Sequence, residues 1–278
     1  MRNLAEIEII LDEFIAATAK PSVKITAHPS NETTLWQSKF GGEPYFPKDG
    51  TYPTSPSGNP LTLLAQINFA EVPVTEDFPK QGILQFYIDA SENATYGLID
   101  DLQIEQSTFR IIYFPEPDLN IENLINNFTF LPQPIVYPIK VEDSFALSFE
   151  VTLDPPTPSD FQFNTLVESY FSALEKIENN QEKSELIEAI LDELEENEKY
   201  RQQLNKHTLG GYPYLVQDDY RGEHHNRFKD YTFLLFQMVS EPDHSIKWGD
   251  MGAGYFFIEP SALKRLDFSQ VLYTYACS

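Results

Sequence analysis

Cysteine is almost absent: Cys277 is the single one in 278 residues. One thiol can form neither an internal disulfide nor a thiolate metal cluster, which excludes a disulfide scaffold and a zinc ribbon. Bases are scarce too, 19 Lys and Arg against 43 Asp and Glu, for a formal net charge of −24. A field of that sign repels phosphates and anionic headgroups, so no nucleic acid and no membrane partner is expected. No apolar run reaches the length of a membrane span. The acids of the opening Met1-Arg2-Asn3-Leu4-Ala5-Glu6-Ile7-Glu8 stand where a secretory leader needs a basic and then purely apolar run, so a cytoplasmic protein is expected. What is plentiful is aromatic and proline: 21 Phe and 15 Tyr favour strands, and 20 Pro favour loops and sheet edges over long helices.

Glycine is sparse as well, 12 in all, and two pairs of them open the same phrase. Phe40-Gly41-Gly42-Glu43-Pro44-Tyr45 returns as Leu209-Gly210-Gly211-Tyr212-Pro213-Tyr214. The first is followed by Leu63-Leu64-Ala65-Gln66-Ile67 and by Gly82-Ile83-Leu84-Gln85-Phe86-Tyr87-Ile88, the second by Leu234-Leu235-Phe236-Gln237-Met238 and by Gly252-Ala253-Gly254-Tyr255-Phe256-Phe257-Ile258, at nearly equal spacings. Two copies of long period imply a duplicated half-domain rather than a solenoid. Paired glycines imply a backbone turn at positive φ or a close approach, and Pro44 and Pro213 then set an extended exit. No helix-forming sequence follows either proline, which weakens the phosphate-cradle reading. Gln66 and Gln237 interrupt apolar runs, and a buried amide needs its donors and acceptor satisfied. Each ties its strand to the neighbouring glycine turn; a ligand-facing amide pair is the functional alternative. In Trp248-Gly249-Asp250-Met251-Gly252, Asp250 reads as a turn carboxylate bonding backbone N–H groups and Trp248 as a core side chain.

Along the chain, Leu4, Ile7, Leu11 and Phe14 recur at helical spacing over residues 3–19, and Lys20-Pro21 ends that helix. Strands are expected at 23–27, 62–69, 82–89, 108–114, 135–141 and 144–153, the last with Phe145, Leu147, Phe149 and Val151 on one face. The turn-rich Pro47–Pro60 stretch must be a loop. Asp154-Pro155-Pro156-Thr157-Pro158 reads as a stiff linker, followed by a helix capped by Ser159 with Phe163, Leu166, Val167, Tyr170, Phe171, Leu174 and Ile177 as its stripe, and by a second helix over about 183–197. Strands at 232–240, 253–258 and 271–275 close the chain, with a polar loop at 218–230 and a helical turn at 261–266. The expected fold is α+β and mostly antiparallel: one domain over 1–278, with a first β-rich half at 21–153, a helical insert at 154–206 and a second β-rich half at 207–278.

Two constellations invite chemistry. Asp218, Asp219, Glu223, His224 and His225 share one loop, and imidazole with carboxylate suits zinc, manganese or iron, so Asp219, His224 and His225 form the candidate metal set. No HExxH, CxxC or GxSxG spacing is present, and the expectation is of no cofactor and no assignable catalytic residue. The acidic row Glu185, Glu188, Asp192, Glu195 and Glu196 on the second insert helix is a solvated face or, as a partner site, a surface for a basic protein through Glu188, Asp192 and Glu195.

The ordered blocks Ser38-Lys39-Phe40-Gly41-Gly42-Glu43-Pro44, Leu64-Ala65-Gln66-Ile67-Asn68, Leu209-Gly210-Gly211-Tyr212-Pro213 with Gln217, Leu234-Leu235-Phe236-Gln237 and Trp248-Gly249-Asp250-Met251-Gly252 resemble those of the bacterial YwqG-like family. The resemblance runs from about residue 38 to the C-terminus. It departs at Tyr52-Pro53, where Trp-Pro is the expected pair. It implies a family without a defined biochemical function, so it carries no catalytic residue onto this chain. The leading functional expectation is a non-enzymatic interaction module that binds or neutralises a basic protein. The alternative is an enzyme or a small-ligand or metal-binding protein with its site between the repeats.

Overall fold

A computed structural model describes residues 4–30, 32–99, 104–140, 143–173, 180–196, 198–219, 221–222 and 226–277. Its frame is one antiparallel ten-stranded sheet, in the order β10-β9-β8-β7-β1-β6-β2-β3-β4-β5. The strands are β1 (Lys20–Pro29), β2 (Lys39–Gly41), β3 (Thr62–Asn68), β4 (Ile83–Ile88), β5 (Phe109–Phe114), β6 (Ser144–Asp154), β7 (His207–Gly210), β8 (Phe233–Val239), β9 (Ala253–Ile258) and β10 (Leu272–Ala276). The helices are α1 (Leu4–Thr18), α2 (Phe163–Ala173), α3 (Asn180–Glu196), α4 (Glu198–Leu204) and α5 (Pro260–Lys264).

The order is symmetric about the central pair. β1 and β6 run antiparallel along their whole length, from Lys20 opposite Asp154 to Pro29 opposite Phe145. On one side β6 pairs with β2, placing Gly41 opposite Ser144; on the other β1 pairs with β7, placing Gly210 opposite Ser22. Each central strand therefore lies next to a glycine strand, β1 beside β7 and β6 beside β2. The same irregularity follows on both sides: the β3–β4 ladder shifts register between Leu63 and Ala65, and the β8–β9 ladder between Leu234 and Phe236.

The sheet closes over its own inner face. Phe86 of β4 meets Phe236 of β8 at 4.7 Å and Phe256 of β9 at 4.9 Å between ring centroids, and Phe109 of β5 meets Tyr273 of β10 at 5.2 Å. One apolar core thus unites both halves, and the space between them is filled with rings. A second core forms where Leu11 and Phe14 of α1 meet Phe163, Val167 and Phe171 of α2 and Leu186, Ile190 and Leu194 of α3. The N-terminal helix and the insert helices, far apart in sequence, bury one another's apolar stripes.

Several expectations are corrected. No strand forms over 135–140: Pro134 and Pro138 supply no N–H to a ladder, and the segment instead crosses between the halves, with Ile135 and Val136 N–H donating to Ala90 C=O and Lys247 N–H to Pro138 C=O. The alternating face of β6 is buried at Phe145 and Leu147, but Val151 is 47% and Leu153 66% exposed, because the inner core ends before the strand does. The proline linker is buried, not a solvated spacer, and Thr157 Oγ1 donates to Pro213 C=O. Asp160, not Ser159, opens α2, its carboxylate accepting from Gln162 N–H. The short helix α4 has no counterpart in the sequence reading.

The glycine turns need their glycines. Gly41, Gly42, Gly210 and Gly211 have φ of 64, 69, 69 and 77°. A Cβ on Gly42 would meet Ser144 Cβ at 3.2 Å, whereas one on Gly211 would overlap the buried Asp154 carboxylate and reach Ser22 Cβ at 2.7 Å. Both alanine variants carry left-handed strain of about 1–3 kcal/mol. Gly211→Ala is expected to lower the urea midpoint further than Gly42→Ala, and equal losses would show that Asp154 yields freely.

Candidate functional site

The polar interior is built around the two glutamines. Gln66 Oε1 accepts from Tyr45 N–H at 2.8 Å, and its Nε2 donates to Leu35 and Gln37 C=O, each at 2.8 Å. Gln237 Oε1 accepts from Tyr214 N–H at 2.7 Å, and its Nε2 donates to Leu204 C=O at 3.0 Å and Lys206 C=O at 2.9 Å. Both amides bond main-chain groups of the segments that enter and leave the glycine turns, and Gln66 Oε1 accepts from Gln85 Nε2 as well, at 2.7 Å. The neighbouring strand completes each turn: Gln85 Nε2 donates to Tyr45 C=O, and Tyr255 Oη donates to Tyr214 C=O.

Behind each turn the outer face of the sheet opens to solvent. In the first half a cleft of about 440 Å³ is lined by Tyr45, Lys48 and Phe114 and rimmed by Asp49, Glu116, Asp118 and Glu122. Hydrogen bonds from Asn123 and Asn120 hold the Asp118 carboxyl below its usual range. In the second half the corresponding space shrinks to about 30 Å³ beside Asp219 and Arg221.

Arg221 is the residue that sequence reading missed. It is 1% exposed, with ion pairs to Asp219 at 2.6 Å and Asp160 at 3.1 Å, a hydrogen bond to Tyr231 C=O and its guanidinium 3.7 Å from the Phe257 ring centre. In the first half Tyr52 takes the corresponding place, packed on Tyr87 at 5.8 Å with Oη donating to Leu61 C=O. A basic residue within a polar loop gives no sign of burial.

The candidate metal set resolves in part. Asp219 gives both oxygens to Arg221 and accepts from Phe161 N–H, while His224 and His225 lie outside the described residues. Two other imidazoles converge, unforeseen, on one carboxylate: His207 Nε2 and His244 Nδ1 each stand 3.0 Å from Glu241 Oε2. His207 Nδ1 accepts from Val239 N–H, so Nε2 carries the proton and donates to Glu241 rather than offering a lone pair to a metal. The hydrogen bond from His207, with the His244 ring close by, holds Glu241 down at about 2.

The remaining candidates separate cleanly. Pro44 and Pro213 are buried at the turns, and Trp248 is fully buried against Tyr96 and Tyr275. Asp250 is exposed, and its turn is closed by the backbone, Gly252 N–H donating to Trp248 C=O. Glu188 and Asp192 are exposed on α3, opposite the buried Leu186 and Ile190; the Glu195 side chain lies outside the described part of the helix. The model of the domain of unknown function DUF1963 matches residues 38–277. The chain belongs to this family. No curated protein matches it. The DUF1963 match begins at Ser38, next to Gln37 whose carbonyl the Gln66 amide holds, and it spans both glycine turns and both glutamines.

Two outcomes follow for this DUF1963 domain. Arg221→Met strands the Asp160 and Asp219 carboxylates in the interior, which costs about 3–5 kcal/mol. Adding Asp160→Asn and Asp219→Asn should recover part of that loss in denaturant titrations; no recovery would show that lost packing on Phe257 dominates. Lys39 is fully buried, its Nζ donating to Thr34 and Glu43 C=O, and burial pulls its pKa down to about 8. With the folded value below the unfolded one, the unfolded chain binds more protons between about pH 8 and 10.5, and the wild type should gain stability relative to Lys39→Met across that window. A difference that stays flat from pH 7 to 10.5 would contradict it.

Proposed function

We propose that the protein is a cytoplasmic, non-enzymatic interaction module that binds and neutralises a basic protein. One observation carries this reading: few acids are buried among the described residues, Asp89, Asp154 and Asp160. Arg221 is paired with Asp160 and Asp219, and Lys206 with Asp154 at 2.5 Å, so little of the net charge of −24 is spent in the described interior. The excess is turned outward, on the α3 face of Glu185, Glu188 and Asp192 and on the Asp49, Glu116, Asp118 and Glu122 rim. Complementary charge of this kind raises association rates and selects partners. Aromatic packing between the halves, as of Phe86 on Phe236, supports this reading over the alternative of a ligand site between the repeats.

We further infer that the chain sits among the bacterial YwqG-like members of its family and arose by duplication of a five-strand unit, β1–β5 and β6–β10. The matching glutamine bonds, register shifts and glycine angles support this. In that division the helical insert lies within the second unit, between its first two strands.

The test is capture from the source cell at low and high salt. One or a few basic proteins should be recovered at low salt and released as exposed charges are screened over about 8 Å at physiological ionic strength. Glu188→Gln, Asp192→Asn and Glu195→Gln together should slow association without lowering thermal stability. Recovery of nothing above background, with a metabolite that stabilises the protein in a thermal screen, would replace this reading by a small-ligand one.

A further inference from the structure

We propose that the outer edge of β5 is a docking site for an extended peptide segment of a partner protein, which joins the sheet as an added strand and brings a carboxylate to Arg110. β5 ends the sheet. Asp89 N–H donates to Thr108 C=O on the β4 side, whereas Ile111 N–H turns the other way, to Gln106 Oε1 at 2.8 Å. By the two-residue alternation of an antiparallel ladder, the main-chain groups of Phe109, Ile111 and Tyr113 face away from β4. The Gln106 amide oxygen stands where the carbonyl of a further strand would stand, so this edge already takes one bond of the strand-addition type. Gln106 is anchored there by its Nε2, which donates to Phe268 C=O at 2.7 Å.

The space beside this edge is a groove of about 680 Å³, with Ile111, Tyr113 and Pro115 on one side and Leu266 and Phe268 on the other. Leu266 is 41% exposed and held at a φ of 56°, an uncommon conformation for a residue with a Cβ. Such a surface suits apolar side chains at alternate positions of an extended chain.

Charge selects the occupant. Arg110 lines the groove, with Nε donating to Gln106 C=O at 3.0 Å, and it forms no ion pair with a carboxylate among the described residues. A cation on the groove wall of so acidic a chain favours a segment that brings its own carboxylate. This recognition is independent of the acidic faces invoked for a basic partner, since it asks the opposite sign of its ligand.

The experiment uses the full chain and a labelled seven-residue peptide alternating valine and threonine around a central glutamate. Fluorescence anisotropy should show saturable binding below millimolar concentration, and hydrogen exchange should slow at the Tyr113 amide. Replacing the glutamate by lysine should weaken binding at least ~10-fold. N-methylation of the edge-facing residues, which removes main-chain donors without touching the protein, should abolish it. Arg110→Glu should reverse the preference toward the lysine peptide, a gain that a misfolded variant cannot mimic. No saturation at millimolar peptide, equal binding of the N-methylated peptide, or protection confined to another part of the sheet would each overturn the proposal.

Discussion

A buried primary amide that serves three main-chain groups at once is the constraint on which the sheet depends. A turn built from two left-handed glycines leaves peptide groups facing inward that no ladder can pair, and an unmade bond to a buried peptide costs about 1–3 kcal/mol. Gln66 and Gln237 each answer with one acceptor and two donors. A carboxylate in the same place would have no donor, and an aliphatic side chain neither donor nor acceptor. The amide also joins segments far apart in sequence, so once it is made the entry, the turn and the strand after it are held as one piece.

That arrangement was legible because it leaves a mark in the sequence: a polar residue inside an apolar run, at a repeated distance from a glycine pair. Strand positions were legible too, since alternation and aromatic content are local properties. The central pairing was not. That β1 lies beside β7 and β6 beside β2 is decided by long-range pairing, and nothing in the residues of β1 names its neighbour. The segment at 135–140 failed as a strand although Ile135, Val136 and Tyr137 are good strand residues, because prolines on either side remove the donors that a ladder needs. Arg221 was hidden for a different reason. A guanidinium enters the interior only when specific acids meet it there, and a loop sequence does not show that Asp160, on the far side of the helical insert, will be one of them.

The helical module shows how a long insertion can be carried without breaking the sheet. In the first half, the carbonyls of Leu35 and Gln37 reach the glutamine amide across a short loop from β1. In the second, the carbonyls of Leu204 and Lys206 do so at the end of α4, after the whole helical stretch that follows β6. What the amide requires is two carbonyls at the entry to the turn, whatever length of chain has brought them there. The helices share a core with α1, and polar contacts that join this module to the rest include Tyr212 Oη to Thr18 C=O, Lys206 to Asp154, and Asp160 to Arg221.

Between corresponding places in the two halves, backbone satisfaction is retained while side-chain chemistry changes. Gln85 and Tyr255 serve the Tyr45 and Tyr214 carbonyls with an amide and a phenol; Tyr52 packs a ring on Tyr87 and Arg221 a guanidinium on Phe257; Lys39 and Thr208 stand opposite Gln66 and Gln237. A catalytic centre shared by both halves would have to hold reacting groups at fixed positions, and these are the positions where the halves diverge. The parts they share are the parts that hold the sheet together. On the proposed reading, recognition would fall to the surfaces in which the halves differ: the acid-rimmed cleft of about 440 Å³ behind the first turn, where the second half has Arg221 and little space, and the β5 edge with Arg110. If both proposed surfaces bind, a partner with a basic surface and an acidic extended segment could engage the two together, one on the acid-rimmed cleft and one on the β5 edge.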